Sequence, residues 1–134
     1  MGGYDAVGGS GNGKSLYAVG DSLYLGRTVG GTEFLILNNS NPATADPPGL
    51  VALGGKPDVD ESVNGLVVRD YLSFLLTNSQ LRVLKTNVPA SISPYASVAL
   101  PAGSQGRSLD CEGNFLYAGF TLSGKAYVGA ITGP

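Results

Sequence analysis

The apolar positions of this chain fall in short runs, and glycine, proline, asparagine or aspartate follows nearly every run. Residues 34–37 and 72–76 are examples, and the second is almost continuously apolar, as in a strand covered on both faces. No window keeps the period of about 3.6 residues that marks an amphipathic helix. The pattern therefore predicts an all-β chain with tight turns and almost no helix.

One stretch of this pattern returns later in the chain. Residues 34–43, Phe-Leu-Ile-Leu-Asn-Asn-Ser-Asn-Pro-Ala, match residues 81–90, Leu-Arg-Val-Leu-Lys-Thr-Asn-Val-Pro-Ala. The match continues without a gap to Val-Ala-Leu at 51–53 and at 98–100. Self-similarity at a spacing of about 20–50 residues is typical of repeat architectures, so the chain is predicted to consist of repeated units.

Each complete unit is predicted to hold four strands. The turn signals divide the chain into a unit at 15–61, a second at 62–106 and a third at 107–134. The third unit has room for only three strands. Residues 4–7, Tyr-Asp-Ala-Val, stand before Gly-Lys-Ser as residues 98–100 stand before Gly-Arg-Ser, so they are predicted to supply the missing strand. The predicted strands lie at 16–19, 23–26, 34–37 and 50–53, then at 63–68, 72–76, 81–84 and 97–100, and finally at 107–111, 115–119 and within 126–134.

Four antiparallel strands in about 45 residues is the spacing of a β-propeller blade. The chain is thus predicted to be a single half-propeller domain over residues 1–134. Rings have about 4–8 blades, and three twisted sheets packed face to face cannot each turn by about 120°. Two copies are therefore expected to close a six-bladed ring as a homodimer, with Tyr4, Val7, Tyr127, Val128 and Ile131 at the assembly interface. A cut piece of a longer propeller, or a β-sandwich, would also fit the pattern.

Composition removes several functions. The net charge of −2 gives no basic face for nucleic acid, and no apolar run reaches the roughly 18 residues of a membrane span. The chain contains no histidine, the commonest general base and metal ligand, and no Ser-x-x-Lys. We therefore expect a protein that is not an enzyme and uses no cofactor. A glycosidase-like carboxylate pair among Asp21, Asp70 and Asp110 stays open, although turn chemistry accounts for aspartates that recur at such intervals.

Residues 8–15, Gly-Gly-Ser-Gly-Asn-Gly-Lys-Ser, satisfy the P-loop pattern letter for letter. A P-loop needs a helix that begins at its Lys-Ser end and points backbone N–H groups at phosphates. Here a Gly-Asp-Ser turn follows after four residues, and Gly13-Lys-Ser-Leu aligns with Gly106-Arg-Ser-Leu, which has no P-loop around it. The segment is predicted to be a glycine-rich turn that enters a strand.

The remaining candidate sites are few. Asp58, Asp60 and Glu61 form the one acidic cluster, but they lack the calcium-loop spacing and are predicted to lie in a solvated loop. Tyr71 and Tyr95 are candidate ligand contacts, together with Arg27 at a strand end. Cys111, the single cysteine, is predicted to be a small buried hydrophobe.

The hairpins at 21–26 and 112–118 and the stretches at 34–43 and 81–90 resemble LVIVD-type repeats. In those repeats a Gly-Asn-x-Ala-Tyr-Val-Ala hairpin precedes a Leu-x-Val-x-Asp-Ile/Val-Ser strand and turn. Asn38 and Lys85 stand where the family has aspartate. The resemblance implies a propeller segment of an extracellular or cell-surface protein, although no signal peptide is visible. It implies a structural or interaction role with surface proteins, the alternative being a propeller that binds carbohydrate or another ligand.

Overall fold

The computed structural model describes residues 11–30, 32–38, 51–55 and 59–132, with the backbone alone described for 51–55. Tyr4, Val7 and Asp58 therefore lie outside the described residues. The described elements are strands, with one 3₁₀ turn. In chain order they are β1 (Gly13–Val19), β2 (Ser22–Arg27), β3 (Phe34–Asn38), β4 (Val51–Gly55), β5 (Gly65–Arg69), β6 (Leu72–Leu76), β7 (Gln80–Lys85), the 3₁₀ turn Pro89–Ser91, β8 (Ser93–Ala99), β9 (Gln105–Glu112), β10 (Phe115–Leu122) and β11 (Lys125–Thr132).

The strands form three antiparallel sheets, and in each sheet consecutive strands are neighbours. The first sheet has the order β1-β2-β3-β4, the second β5-β6-β7-β8, and the third β9-β10-β11. Two-residue loops join the first two strands of each sheet, and the first loop residue has positive φ in each case: Gly20, Asp70 and Gly113. Glycine and aspartate tolerate that conformation. The prediction of an all-β chain is confirmed.

The three sheets share one pairing scheme. An aromatic side chain stands in the middle of the second strand of each sheet: Tyr24 opposite Tyr17, Phe74 opposite Val67, and Tyr117 opposite Asp110. These pairs give the three sheets a common numbering, by which Leu25, Leu75 and Ala118 are equivalent, and so are Leu16, Leu66 and Leu109.

β1 and β9 also carry a bulge at the same place. Gly13 pairs with Arg27 and Ser15 with Gly26, so Lys14 is the extra residue. Gly106 pairs with Phe120 and Ser108 with Gly119, so Arg107 is the extra residue. β5 pairs with β6 without interruption. Lys14 thus lies in a strand where a P-loop would begin a helix, and the P-loop match is accidental, as predicted.

The sheets stack face to face in series, which is a sandwich-like layering. The first strands of successive sheets are neighbours, β1 beside β5 and β5 beside β9. Two apolar clusters hold the layers together. The cluster between the first and second sheets includes Phe34, Ile36, Val63, Leu66, Leu75 and Leu84. The cluster between the second and third sheets includes Val67, Phe74, Leu76, Leu81, Val83, Leu116 and Ala118.

The middle strand of the second sheet, β6, contributes to both clusters. Leu75 points towards the first sheet, while Phe74 and Leu76 point towards the third. This explains the nearly continuous apolar run at 72–76, since a strand covered on both faces needs apolar residues at odd and even positions.

The structure differs from the sequence expectation at the fourth strand. The gapless match placed the fourth strand of the second unit at 97–100, whereas β8 begins at Ser93 and ends at Ala99. Asn38 pairs with Val51 and Lys85 with Ser93, so the segment before the fourth strand spans 39–50 in the first sheet and only 86–92 in the second. The two Val-Ala-Leu triplets therefore do not hold equivalent places, because the segments that precede β4 and β8 differ in length.

The described residues contain no closed ring of sheets. They show the coarser architecture, three meander sheets in a stack. Among them, no helix has the length and apolar character needed to cross a membrane.

Candidate functional site

The first sheet has an aliphatic face on the side away from the second sheet. Tyr17 and Tyr24 pack towards the second sheet, so the alternation of a strand turns Leu16, Ala18, Leu23 and Leu25 the other way. Leu16 is 60% exposed. Ala18 is exposed, and Leu23 and Leu25 are half-buried. We call these four residues the aliphatic face.

The third sheet has an aromatic face on the side away from the second sheet. Leu116 and Ala118 are buried against the second sheet, so Phe115 and Tyr117 of the same strand point outwards. Their rings lie 6.3 Å apart. Val128 and Ala130 of β11 pair with Gly119 and Tyr117 and share this side. We call Phe115, Tyr117, Val128 and Ala130 the aromatic face.

The common numbering of the sheets relates these two faces to contacts that the molecule already makes. Tyr117 is equivalent to Tyr24 and Phe74, both of which pack against the next sheet. Leu16 is equivalent to Leu66 and Leu109, both of which pack against the preceding sheet. The aromatic face therefore has the composition of a face that packs against the next sheet in the chain. The aliphatic face has the composition of a face that packs against the preceding sheet.

The predicted interface residues of β11 do not share one side of the strand. Val128 lies on the aromatic face and is 75% exposed. Tyr127 points to the other side, where its ring stacks on Phe120 at 5.7 Å. Ile131 packs against the cluster between the second and third sheets. Of these three residues, Val128 alone lies on the outward face, while Tyr4 and Val7 lie outside the described residues.

The predicted ligand contacts lie in different environments. Tyr71 and Tyr95 are both exposed, and both lie at the end of the second sheet that carries Lys85. The Lys85 ammonium lies 5.3 Å from the centre of the Tyr95 ring, and the Tyr71 carbonyl accepts a hydrogen bond from the Thr86 N–H. Ligand binding at these tyrosines stays a prediction.

Arg27, in contrast, is only 5% exposed. Its guanidinium donates to the Gly11 carbonyl at 3.0 Å and to the Thr32 carbonyl at 3.2 Å. The neighbouring Glu33 is also buried, and its carboxylate accepts hydrogen bonds from the N–H groups of Gly30 and Val59. Buried charges need such partners, so the geometry gives Arg27 and Glu33 a structural role in holding loops beside the first sheet.

Glu61, which belongs to the predicted acidic loop, has a carboxylate that accepts hydrogen bonds. Burial by itself raises the pKa of Glu61, but hydrogen bonds from Thr77 and Ser79 and the charge of Arg82 outweigh it, so the pKa lies below its ordinary value. The Ser79 N–H donates to the carboxylate at 3.2 Å. Within the described ranges, no three His, Cys, Asp or Glu side chains form a group that could hold a metal ion.

Cys111 is a free thiol, partly buried against the cluster between the second and third sheets. Its side chain is therefore in an apolar environment, as predicted, but it is only partly buried.

The two outward faces were missed by reasoning from the sequence alone. Alternation within residues 115–118 and 16–25 separates the two sides of each strand, but it does not say which side another sheet covers. The signal that identifies them is the equivalence of Tyr117 with Phe74 and of Leu16 with Leu66, and this depends on the strand register.

Comparisons of the chain with protein-family models, with curated proteins and with solved structures found no match. The resemblance to LVIVD-type repeats therefore stays a prediction.

Proposed function

We propose that the chain is a three-blade β-propeller segment that acts as a non-enzymatic structural and protein-interaction module. The proposal rests on the observation that equivalent residues form the contact between the first and second sheets and the contact between the second and third sheets. The face bearing Tyr24 packs on the second sheet, and the equivalent face bearing Phe74 packs on the third. Successive sheets that each present their first strand to the next are the arrangement expected around a propeller axis.

The partner that we propose is a second copy of the chain. In this arrangement the aromatic face of each copy packs on the aliphatic face of the other, so Tyr117 meets leucines as Phe74 does within one chain. Two such contacts related by a two-fold axis would close a ring of six blades, within the usual range of about 4–8. Removing apolar surface from water favours the contact by about 25 cal/mol per Å².

A place for this module in a cell-surface protein is supported by the resemblance to LVIVD-type repeats. There the closed ring would present its loops to other surface proteins. Carbohydrate binding is the less supported function, since the Tyr95 ring already has Lys85 against it.

Charged substitutions on the two faces test the proposal. Leu16→Asp and Tyr117→Asp each place a charge in the proposed interface, so each should reduce the mass measured by light scattering from two copies to one. Val29→Asp is the matched control, because Val29 is 57% exposed, close to the 60% of Leu16, and does not belong to either face. Far-ultraviolet circular dichroism should show the same strand content in all three variants.

Mixing the two variants gives a sharper result. A pair made of one Leu16→Asp chain and one Tyr117→Asp chain keeps one unmodified contact and combines both charges in the other. The mixture should therefore associate more strongly than either variant alone. If both variants keep the mass of the unsubstituted protein, or if Val29→Asp dissociates it equally well, the proposed contact is wrong.

A further inference from the structure

An apolar groove lies between the outer parts of the second and third sheets. It has a volume of about 570 Å³ and is lined by Leu81, Val83 and Val98 of the second sheet and by Leu116 and Ile131 of the third. Leu116 and Ile131 pair with each other across β10 and β11. The groove therefore runs along the side of β11 that faces the second sheet.

The outer edge of β11 borders this groove. In the first and second sheets a fourth strand, β4 or β8, pairs with the third strand at the equivalent edge. No described strand pairs with that edge of β11. An exposed edge presents a row of backbone donors and acceptors that can pair with an added strand.

The chain spacing identifies which residues would take this place. In the second sheet Ser97 pairs with Arg82 and precedes Ser108 by eleven residues. In the first sheet Gly55 pairs with Leu35 and precedes Gly65 by ten residues. The difference of one residue is the bulge residue of β9, which β5 lacks.

The first sheet begins with the same bulge as the third, so the spacing of eleven residues applies to β1. Eleven residues before Ser15 is Tyr4. The place equivalent to Arg82 and Leu35 in the third sheet is Gly129, because Gly129 pairs with Ala118 as Arg82 pairs with Leu75. The spacing thus sets Tyr4 opposite Gly129.

We propose that residues 4–7 of a second copy add to β11 as the fourth strand of the third sheet, with the Tyr4 ring in the apolar groove. This rests on the proposed ring of two copies. Gly129 has no side chain and lies on the same side of β11 as Ile131, so an aromatic ring opposite it can cover the backbone and fill the groove. Alternation then puts Asp5 opposite Val128, on the side of the sheet that carries the aromatic face.

The occupant comes from a second copy because of how fourth strands are connected. β4 lies in the sheet next to the one that the chain then enters, and so does β8. Residues 4–7 lead into the first sheet, and within one chain the second sheet separates the first from the third. The sheet next to the first sheet on its aliphatic side is then the third sheet of the other copy.

Disulfide trapping between two chains tests this docking. Tyr4→Cys and Gly129→Cys are made as separate single substitutions in a Cys111→Ala background, mixed in equal amounts and oxidised mildly. Position 129 tolerates the change, because a Cβ there would meet only the Phe120 ring, at 3.5 Å. Directly paired strand residues have Cβ atoms about 4.5–5.5 Å apart, close to the separation of about 3.5–4.5 Å in a disulfide. Lys125→Cys is the control, because position 125 lies about 13 Å from position 129 along β11, at about 3.3 Å per residue.

The expected result is a covalent dimer of the Tyr4→Cys and Gly129→Cys chains on a non-reducing gel, with little or none for the Lys125→Cys control. No covalent dimer from a protein whose mass is two copies would overturn the strand docking and leave the ring intact. A chain that carries both Tyr4→Cys and Gly129→Cys tests whether the segment docks within its own chain. If its disulfide forms only within single chains, the occupant is the chain's own segment and the proposal is wrong. A mass of one copy would overturn the ring and, with it, this inference.

Discussion

Gly26 and Ser15 show how single residues set the distance between the first and second sheets. The Ser15 hydroxyl donates to the Val63 carbonyl at 3.0 Å. A Cβ at Gly26 would lie 2.2 Å from the Ser15 Oγ and 2.7 Å from a Val63 methyl carbon. Gly119 and Ser108 hold the same places in the third sheet, where a Cβ would lie 2.6 Å from the Ser108 Oγ. The need for glycine is strict at Gly26, because the Val63 Cβ would lie 2.9 Å from the added Cβ. At Gly119 the one close atom is the Ser108 hydroxyl oxygen, which can rotate away.

At the same scale, Glu61 predicts a dependence of stability on pH. Because the pKa of Glu61 is lowered in the folded protein from its ordinary value of 4.5, its contribution is fully present above that value and is lost as the pH falls towards the folded pKa. Glu61→Gln should therefore reduce the stability near pH 7 and flatten the loss on acidification below 4.5. Urea unfolding at a series of pH values measures both effects. Parallel curves for the two proteins would contradict the assigned hydrogen bonds.

At the scale of elements, the second sheet is the centre of the molecule because apolar residues cover both of its faces. β1, β9 and β10 are longer than predicted, with 7, 8 and 8 residues in place of 4, 5 and 5. The turns between the first two strands of each sheet and the double-faced run at 72–76 could be predicted from the sequence, since each depends on residues close in the chain. The start of β8 could not, because it depends on the length of the preceding loop. The burial of Arg27 could not either, since carbonyls of Gly11 and Thr32 that fold around it provide its partners.

Because both faces of β6 are covered by other sheets, we expect truncation of its buried side chains to lower the free energy of unfolding strongly. Leu75 is fully buried, so Leu75→Ala should lower the free energy of unfolding by about 2–5 kcal/mol. Val29→Ala, at an exposed position, should change it by about 0.5 kcal/mol or less. Urea denaturation at pH 7 measures both. Equal effects of the two substitutions would show that the second sheet is not the centre of the core.

At the scale of the whole molecule, each end of the stack of sheets has an outward face. Each of these two faces is equivalent to a face that is packed between sheets elsewhere in the chain. Tyr117 has the place of Phe74, and Leu16 has the place of Leu66, yet each points away from the second sheet. The proposed ring of two copies would account for both faces with the contact that the chain already uses between its own sheets. It would also give the edge of β11 a fourth strand.

The most direct test is the mass of the unsubstituted protein in solution, measured by light scattering on a sizing column. The ring predicts twice the chain mass of 13.6 kDa, with no larger species as the concentration rises, because a closed ring leaves no face free. A folded monomer that persists at high concentration would contradict the account. A mass that grows steadily with concentration would also contradict it, since the same faces would then build an open stack.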